Sequence, residues 1–323
     1  MATPVVDIHA HYFPESYLKI AADQGSRFGA TLTEDPRGRV LRVGLMRAGP
    51  ITPAYTDLDL RLKAMDAQGV TVQALSLTQP MVYWAQGEVG LRLAAAFNDA
   101  ASAAHMAHPG RFVAFACLPL HEPALAAQEL ERAAKLPGMR GVYLGTTIGE
   151  RELSDKAFFP VYERIEHLNL PIFLHPTQVI AHQRLQPFYL NNLLGNPFDT
   201  AVAASHLMFG GVLDAFPRLK VCLPHAGGAL LGLIGRLDHG HTVRPECKHL
   251  PHPPSHYLRR FLYDTIAHSD QLLLAMIDTV GHDRVALGSD YCFDMGYERP
   301  VERVTRLKGL SQDQRTAILG GNV

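Results

Sequence analysis

The run Val5-Val6-Asp7-Ile8-His9-Ala10-His11 sets how the rest of the chain is read. Val5–Ile8 is a short apolar stretch of β type, and it delivers a His-x-His pair. Side chains alternate along a strand, so His9 and His11 fall on one side with Cα atoms about 7 Å apart. Two neutral imidazoles so placed can share one divalent ion at about 2.0–2.1 Å. The same pair also suits ordinary surface or core histidines, so its meaning depends on what the rest of the chain brings to it.

Seven further short apolar runs follow: Val70–Leu77, Phe112–Leu118, Gly141–Leu144, Pro171–Leu174, Leu219–Leu223, Phe261–Thr265 and Arg284–Leu287. Continuously apolar strands of this length suit a parallel sheet covered by helices. Helical stretches lie between them. Leu93, Phe97, Ala100 and Ala104 form one apolar stripe, and Ala124–Leu136, Phe158–Leu168 and Ser269–Val280 read as helices too. Eight strand–helix units predict an α/β fold, a (β/α)8 TIM-type barrel forming a single domain over 1–323. An open doubly wound sheet is the alternative. No Gly-x-Gly-x-x-Gly follows the first run and no Walker-type loop occurs, so nucleotide-binding versions lose support.

Residues 12–56 interrupt the rhythm as a small insertion after strand 1. They hold the turn Pro36-Arg37-Gly38 and a β-like piece, Arg39–Gly44. An insertion there belongs at the C-terminal mouth of a barrel, as a rim or lid. Residues 236–256, rich in His, Pro and Arg, read as a second irregular excursion.

Composition excludes several function classes. Lys and Arg total 30 against 31 Asp and Glu, which argues against a nucleic-acid footprint and a polybasic membrane surface. Cys117, Cys222, Cys247 and Cys292 include no CxxC pair, so neither a cysteine zinc site nor a disulfide framework is expected. The first residues read as neither signal nor transit peptide, and no apolar run approaches the roughly 18 residues of a membrane span. A soluble protein of the reducing cytoplasm is expected.

Other predicted strands end in chemistry-bearing residues. The fifth runs into Leu174-His175-Pro176, the sixth into Pro224-His225-Ala226-Gly227-Gly228, and the eighth into Gly288-Ser289-Asp290-Tyr291. In a barrel all these ends converge on the mouth. His9, His11, His175, His225 and Asp290 can therefore meet, and imidazoles with a carboxylate suit zinc or a similar ion. The PHAGG glycines allow close backbone approach or a simple turn.

DIHAH, FLHP, PHAGG and LGSDY together resemble the amidohydrolase superfamily. More narrowly, they are similar to the decarboxylase-like branch typified by 2-amino-3-carboxymuconate 6-semialdehyde decarboxylase. AMDAQGV (64–70), HPGRF (108–112), GRLD (235–238), PPSHYLRRFLYDT (253–265) and LGGN (319–322) extend the likeness over nearly the whole chain. The resemblance implies one divalent ion, zinc first and manganese second, held by His9, His11, His175 and Asp290. It makes His225 an acid/base beside the ion, with Asp290 sharing the chemistry. It gives Arg236 to a substrate carboxylate across a homodimer interface, and Phe293 to the pocket floor. The implied reaction is non-oxidative decarboxylation of a small aromatic or unsaturated carboxylate. A hydrolase or hydratase on the same ligands is the alternative.

One position departs from the pattern: Thr52 stands where the branch has a carboxylate-binding arginine. Arg47 and Arg184 are candidates to replace it, each also readable as solvated. Gln178, His182, Phe188 and Tyr189 are candidate pocket lining. His239, His241, His249, His252 and His256 fit no metal spacing and read as surface or interface residues.

Overall fold

The computed structural model describes residues 3–323. Its strands, in chain order, are β1 (Val6–His11), β2 (Ala30–Asp35), β3 (Gly38–Val43), β4 (Met46–Ile51), β5 (Val72–Ser76), β6 (Phe112–Cys117), β7 (Met139–Gly145), β8 (Thr147–Ile148), β9 (Arg151–Glu152), β10 (Ile172–His175), β11 (Val221–Leu223), β12 (Phe261–Asp264) and β13 (Val285–Ala286). Eight of them pair in the order β1-β5-β6-β7-β10-β11-β12-β13, every pair parallel where β-ladder registers are formed. The ring closes from the last strand to the first. Ile8 N donates to Leu287 O at 2.9 Å, and Ala10 and Tyr291 form a parallel bridge. The barrel was expected, and each predicted run overlaps one of its strands.

Helices cover the outside because their apolar stripes have a sheet to face. Gly87–Ala107 buries Leu93, Phe97, Ala101 and Ala104. Asp270–Val280 begins where the Ser269 hydroxyl accepts from Leu272 N, satisfying one free donor of its first turn. Inside the barrel, Ile8, Ala74, Phe115, Tyr143, Phe173, Cys222 and Ala286 form a separate core.

β1 departs from simple alternation. Its pairing with β5 shifts register between Asp7 and Ala10. Ile8 therefore joins the barrel interior, and His9, one residue on, also faces inward, its ring 5.0 Å from that of Phe173. A bulge re-aims a side chain in this way and is frequent beside active sites.

The 12–56 insertion holds more structure than its sequence suggests. A helix spans Glu15–Gln24, and β2, β3 and β4 form an antiparallel sheet. Leu41, Ala48 and Ile51 are buried beneath it. Only β3 was legible. β2 (ATLTED) is largely polar and β4 (MRAGPI) carries Gly and Pro, a composition suited to edge strands. The reading of 236–256 needs a correction, because the helix Leu230–Val243 runs through Arg236 before the irregular part begins.

Candidate metal centre

His9 and His11 project from β1, His175 ends β10, and Asp290 follows β13. One ligand atom from each lies within 4.8 Å of all the others, and all four residues are buried. Asp290 Oδ1 is 2.9 Å from His11 Nε2 and 3.5 Å from His9 Nε2.

The outer nitrogens are already engaged. His9 Nδ1 donates to Asp264 Oδ2 at 2.6 Å, and His175 Nδ1 donates to Pro176 O at 2.9 Å. His11 Nδ1 has the Ser76 hydroxyl at 3.4 Å, and that hydroxyl itself donates to Ala10 O. A proton held on Nδ1 leaves Nε2 bare, which is how a neighbouring partner fixes a ligating tautomer. His9 Nε2 is buried with no hydrogen-bond partner. Burial, then the neighbouring imidazoles, keeps His11 and His175 well below the ordinary histidine pKa, so both rings offer neutral lone pairs. Asp7, Asp264 and Asp290 are buried here with Arg61, whose guanidinium is the one buried guanidinium among the described residues. That surplus of negative charge, with converging bare nitrogens, fits a divalent metal ion. The four residues form a metal-binding cluster.

His225 stands beside the cluster. Its ring centroid is 5.2 Å from that of His9, and its Nε2 is 3.9 Å from Asp290 Oδ2. Burial lowers its pKa, with Asp290 and Asp264 opposing. His225, Ala226 and Asp290 all have positive φ, at 53°, 54° and 59°, a conformation L-residues adopt only under constraint. Asp264 supplies much of that constraint, accepting from His225 N at 3.0 Å and Ala226 N at 2.8 Å as well as from His9. Gly228, with φ 59°, packs so tightly on the Pro197 carbonyl that a Cβ would collide with it. Close approach explains that glycine.

The cluster opens into a cavity of about 300 Å³ lined by His175, His225, Asp290 and Phe293 on the cluster side. The Phe293 ring packs edge-on against His11 and Tyr55, with centroids 5.2 and 5.4 Å away. Arg47, His182 and Tyr189 also line it, while Thr52, Arg184, Gln178 and Phe188 do not. Phe188 is 86% exposed. Arg236 is exposed on its helix, outside its own chain's cavity. None of the histidines from 239 to 256 belongs to the cluster or lines its cavity; His252 and His256 stack on each other at 4.1 Å. Cys222 belongs to the barrel core, and burial raises the Cys292 thiol to about 12, so neither is an activated nucleophile.

Sequence reasoning missed the residues that hold the ligands. Asp264 ends β12 as the ligands end their strands, and that position was its available signal. Asp7 accepts from Gln73 Nε2 at 2.8 Å and Ser289 N at 3.0 Å, tying β1 to the segment carrying Asp290. Arg61 donates to His11 O and Gln73 Oε1. No sequence signal separates it from a surface helix arginine.

Comparison with known proteins agrees with this geometry. The amidohydrolase family model matches residues 6–322. The chain is 30% identical over 324 aligned positions to 2-amino-3-carboxymuconate-6-semialdehyde decarboxylase of Dictyostelium discoideum, covering 98% of this chain and 89% of that protein. It is 29% identical to gamma-resorcylate decarboxylase of Rhizobium radiobacter over 73% of this chain and 77% of the other. The crystal structure of 5-carboxyvanillate decarboxylase from Sphingomonas paucimobilis superposes with a TM-score of 0.84 at 26% identity, covering 99% and 98% of the two chains. This chain belongs to the amidohydrolase family.

Proposed function

We propose that the protein is a metal-dependent carboxy-lyase that removes CO2 non-oxidatively from a small aromatic or unsaturated carboxylic acid. The observation that carries this reading is the four-residue cluster with His225 beside it, at the floor of a cavity sized for about one ring. The named relatives, all decarboxylases, add weight.

His9, His11, His175 and Asp290 hold the ion, zinc by preference and manganese as the alternative, since imidazole and carboxylate suit both. When bound, the ion supplies positive charge that orients substrate oxygens and draws electron density from the reacting carbon. The chain's own groups supply the proton. His225 faces the second oxygen of Asp290, its Nε2 3.9 Å from Oδ2. This pair delivers a proton to the carbon that loses its carboxylate; the C–C bond electrons pass into the new C–H bond, and CO2 departs. Phe293 packs against the substrate ring and excludes water.

The 12–56 insertion serves as the rim of this site within one barrel domain. The protein works as a homodimer, with Arg236 directed to the partner's cavity. Support comes from the helix Leu230–Val243, in which only Leu230 is buried, and from the exposed Ile180, Phe188, Leu193, Leu194 and Phe198. Four free cysteines suit a cytoplasmic home.

The test is product analysis with the metal-loaded protein and a panel of hydroxylated benzoic acids in D2O. Release of CO2 with one deuterium at the vacated carbon is expected. Net addition of water without CO2 would move the assignment to a hydrolase or hydratase.

A further inference from the structure

A second cavity, of about 370 Å³, adjoins the one above the metal cluster. Leu45, Met46, Thr177 and His182 line both and so form a shared wall. The opposite wall is aromatic. Phe28 comes from the segment just before β2, and Tyr83 and Trp84 follow β5. The Phe28 and Trp84 rings meet edge-on with centroids 6.3 Å apart. The polar ends of the other two rings are already engaged. Trp84 Nε1 donates to Met81 O at 2.9 Å, and the Tyr83 hydroxyl accepts from Gly145 N at 3.0 Å. Each ring is thus held in place and offers the cavity its apolar body.

The chemistry of this lining differs from that of the metal end. No Lys, Arg, Asp or Glu lines the second cavity among the described residues. A charged ligand group would lose water there without gaining a counter-ion, whereas an uncharged ring meets other rings. Gln178, which does not reach the first cavity, lines the second. Leu45 is 62% exposed at the turn between β3 and β4, a large apolar side chain left in water where the two cavities meet. A ligand spanning both would cover it. Met46 beside it is half-buried, and its unbranched side chain adapts to the shape of a neighbour.

We infer that the second cavity is a subsite for an uncharged second ring of the substrate, joined to the acid ring that lies over the metal cluster. The first cavity holds about one ring, and the second adds room for another. The favoured ligand class is therefore a two-ring acid, a biaryl or diaryl ether with its carboxylate on one ring and no charge on the other. This inference rests on the reading of the first cavity as a carboxylic-acid site.

Trp84 is the chain's single tryptophan, so its fluorescence reports what enters the second cavity. The experiment titrates the metal-loaded protein with 3-phenoxybenzoate and with benzoate. Calorimetry and tryptophan fluorescence follow the wild type and Phe28→Ala. Calorimetry alone follows Gln178→Trp, which fills the second cavity from an exposed position. The wild type is expected to bind 3-phenoxybenzoate about ten-fold more tightly than benzoate, as burial of one ring in a half-open cavity gives. Only the two-ring acid should change the Trp84 emission. Phe28→Ala should cut the preference about three-fold, and Gln178→Trp should erase it, both with benzoate affinity and metal content unchanged. A wild type without the preference overturns the inference, whether both acids bind equally or neither binds. So does a preference that survives Gln178→Trp, or one that leaves Trp84 emission untouched. The preference and the Trp84 response in a protein that releases no CO2 from any acid would keep the subsite and remove the decarboxylase assignment. CO2 release without the preference would do the reverse.

Discussion

The two ends of the cavity are built in opposite ways. At the metal end, every ligand leaves a barrel strand or the residues just after it, and each imidazole is held from behind by Asp264, Ser76 or the Pro176 carbonyl. At the rim, Arg47 stands exposed on an insertion, and the 180–198 segment opposite exposes Phe188 and Tyr189, both with positive φ. A barrel fixes where its strands end and leaves its loops free to vary. The metal end should therefore tolerate almost no change, and the rim should tune affinity and stability in smaller steps.

The largest effect is expected from removing a ligand. His11→Ala should lose the metal, and with it at least roughly 10³-fold in turnover, since a bound cation supplies several kcal/mol of charge stabilisation. Elemental analysis beside kinetics checks this; a variant that keeps stoichiometric metal would remove His11 from the ligand set. Next, His225→Ala should retain its metal and lose about 10²–10⁴-fold in kcat, the usual value of general acid–base help. Loss of metal instead would make His225 a ligand. Asp264→Asn should weaken metal affinity by about 10–100-fold, as expected when the partner of a ligating imidazole changes. Competition with a chelator measures this, and unchanged affinity would confine Asp264 to holding the His225 turn.

At the rim the effects shrink. Arg236→Ala should raise KM about ten-fold with metal content intact, in line with one lost charge-assisted contact. Mixing it with His225→Ala should restore activity if the proposed homodimer forms, because one site of such a hybrid regains both residues. No recovery, with subunit exchange confirmed, would count against a shared site.

The smallest effect concerns Asp199, whose carboxylate is met by the Thr146 hydroxyl close to the rim segment. Burial pushes its pKa up to about 6, with Glu152 adding to the rise and Thr146 opposing. The folded pKa lies above the ordinary 3.8, so this group's stabilising contribution is complete below about pH 4 and is lost as pH rises through about 6. Asp199→Asn should then gain in Tm relative to the wild type across that window, by a few degrees at neutral pH. A Tm difference that stays flat from pH 4 to 7 would mean Asp199 titrates normally.

How far the chain could be read follows the same division. The eight apolar runs and the polar residues at their ends were local signals, and a closed parallel barrel leaves such ends only one place to gather. His9, His11, His175, His225 and Asp290 could therefore be brought together from strand order alone, while the division into four ligands and one neighbour came from the family resemblance. Alternation also placed His9 and His11 on one side. It gave no hint that Ile8 and His9 both face inward, because that depends on the register shift against β5. Asp264 was visible as a residue, but its three-way grip on His9, His225 and Ala226 exists only once β1, β11 and β12 are assembled. Arg61 read as an ordinary helical cation and became a buried brace on the His11 carbonyl through packing over fifty residues of chain. Arg47 and Arg184 looked alike, and the antiparallel sheet β2–β4 brought the first to the cavity while the second stayed in solvent. Periodicity and turn chemistry are written residue by residue; which polar groups face each other across strands depends on register, and register is settled by burial of the whole sheet.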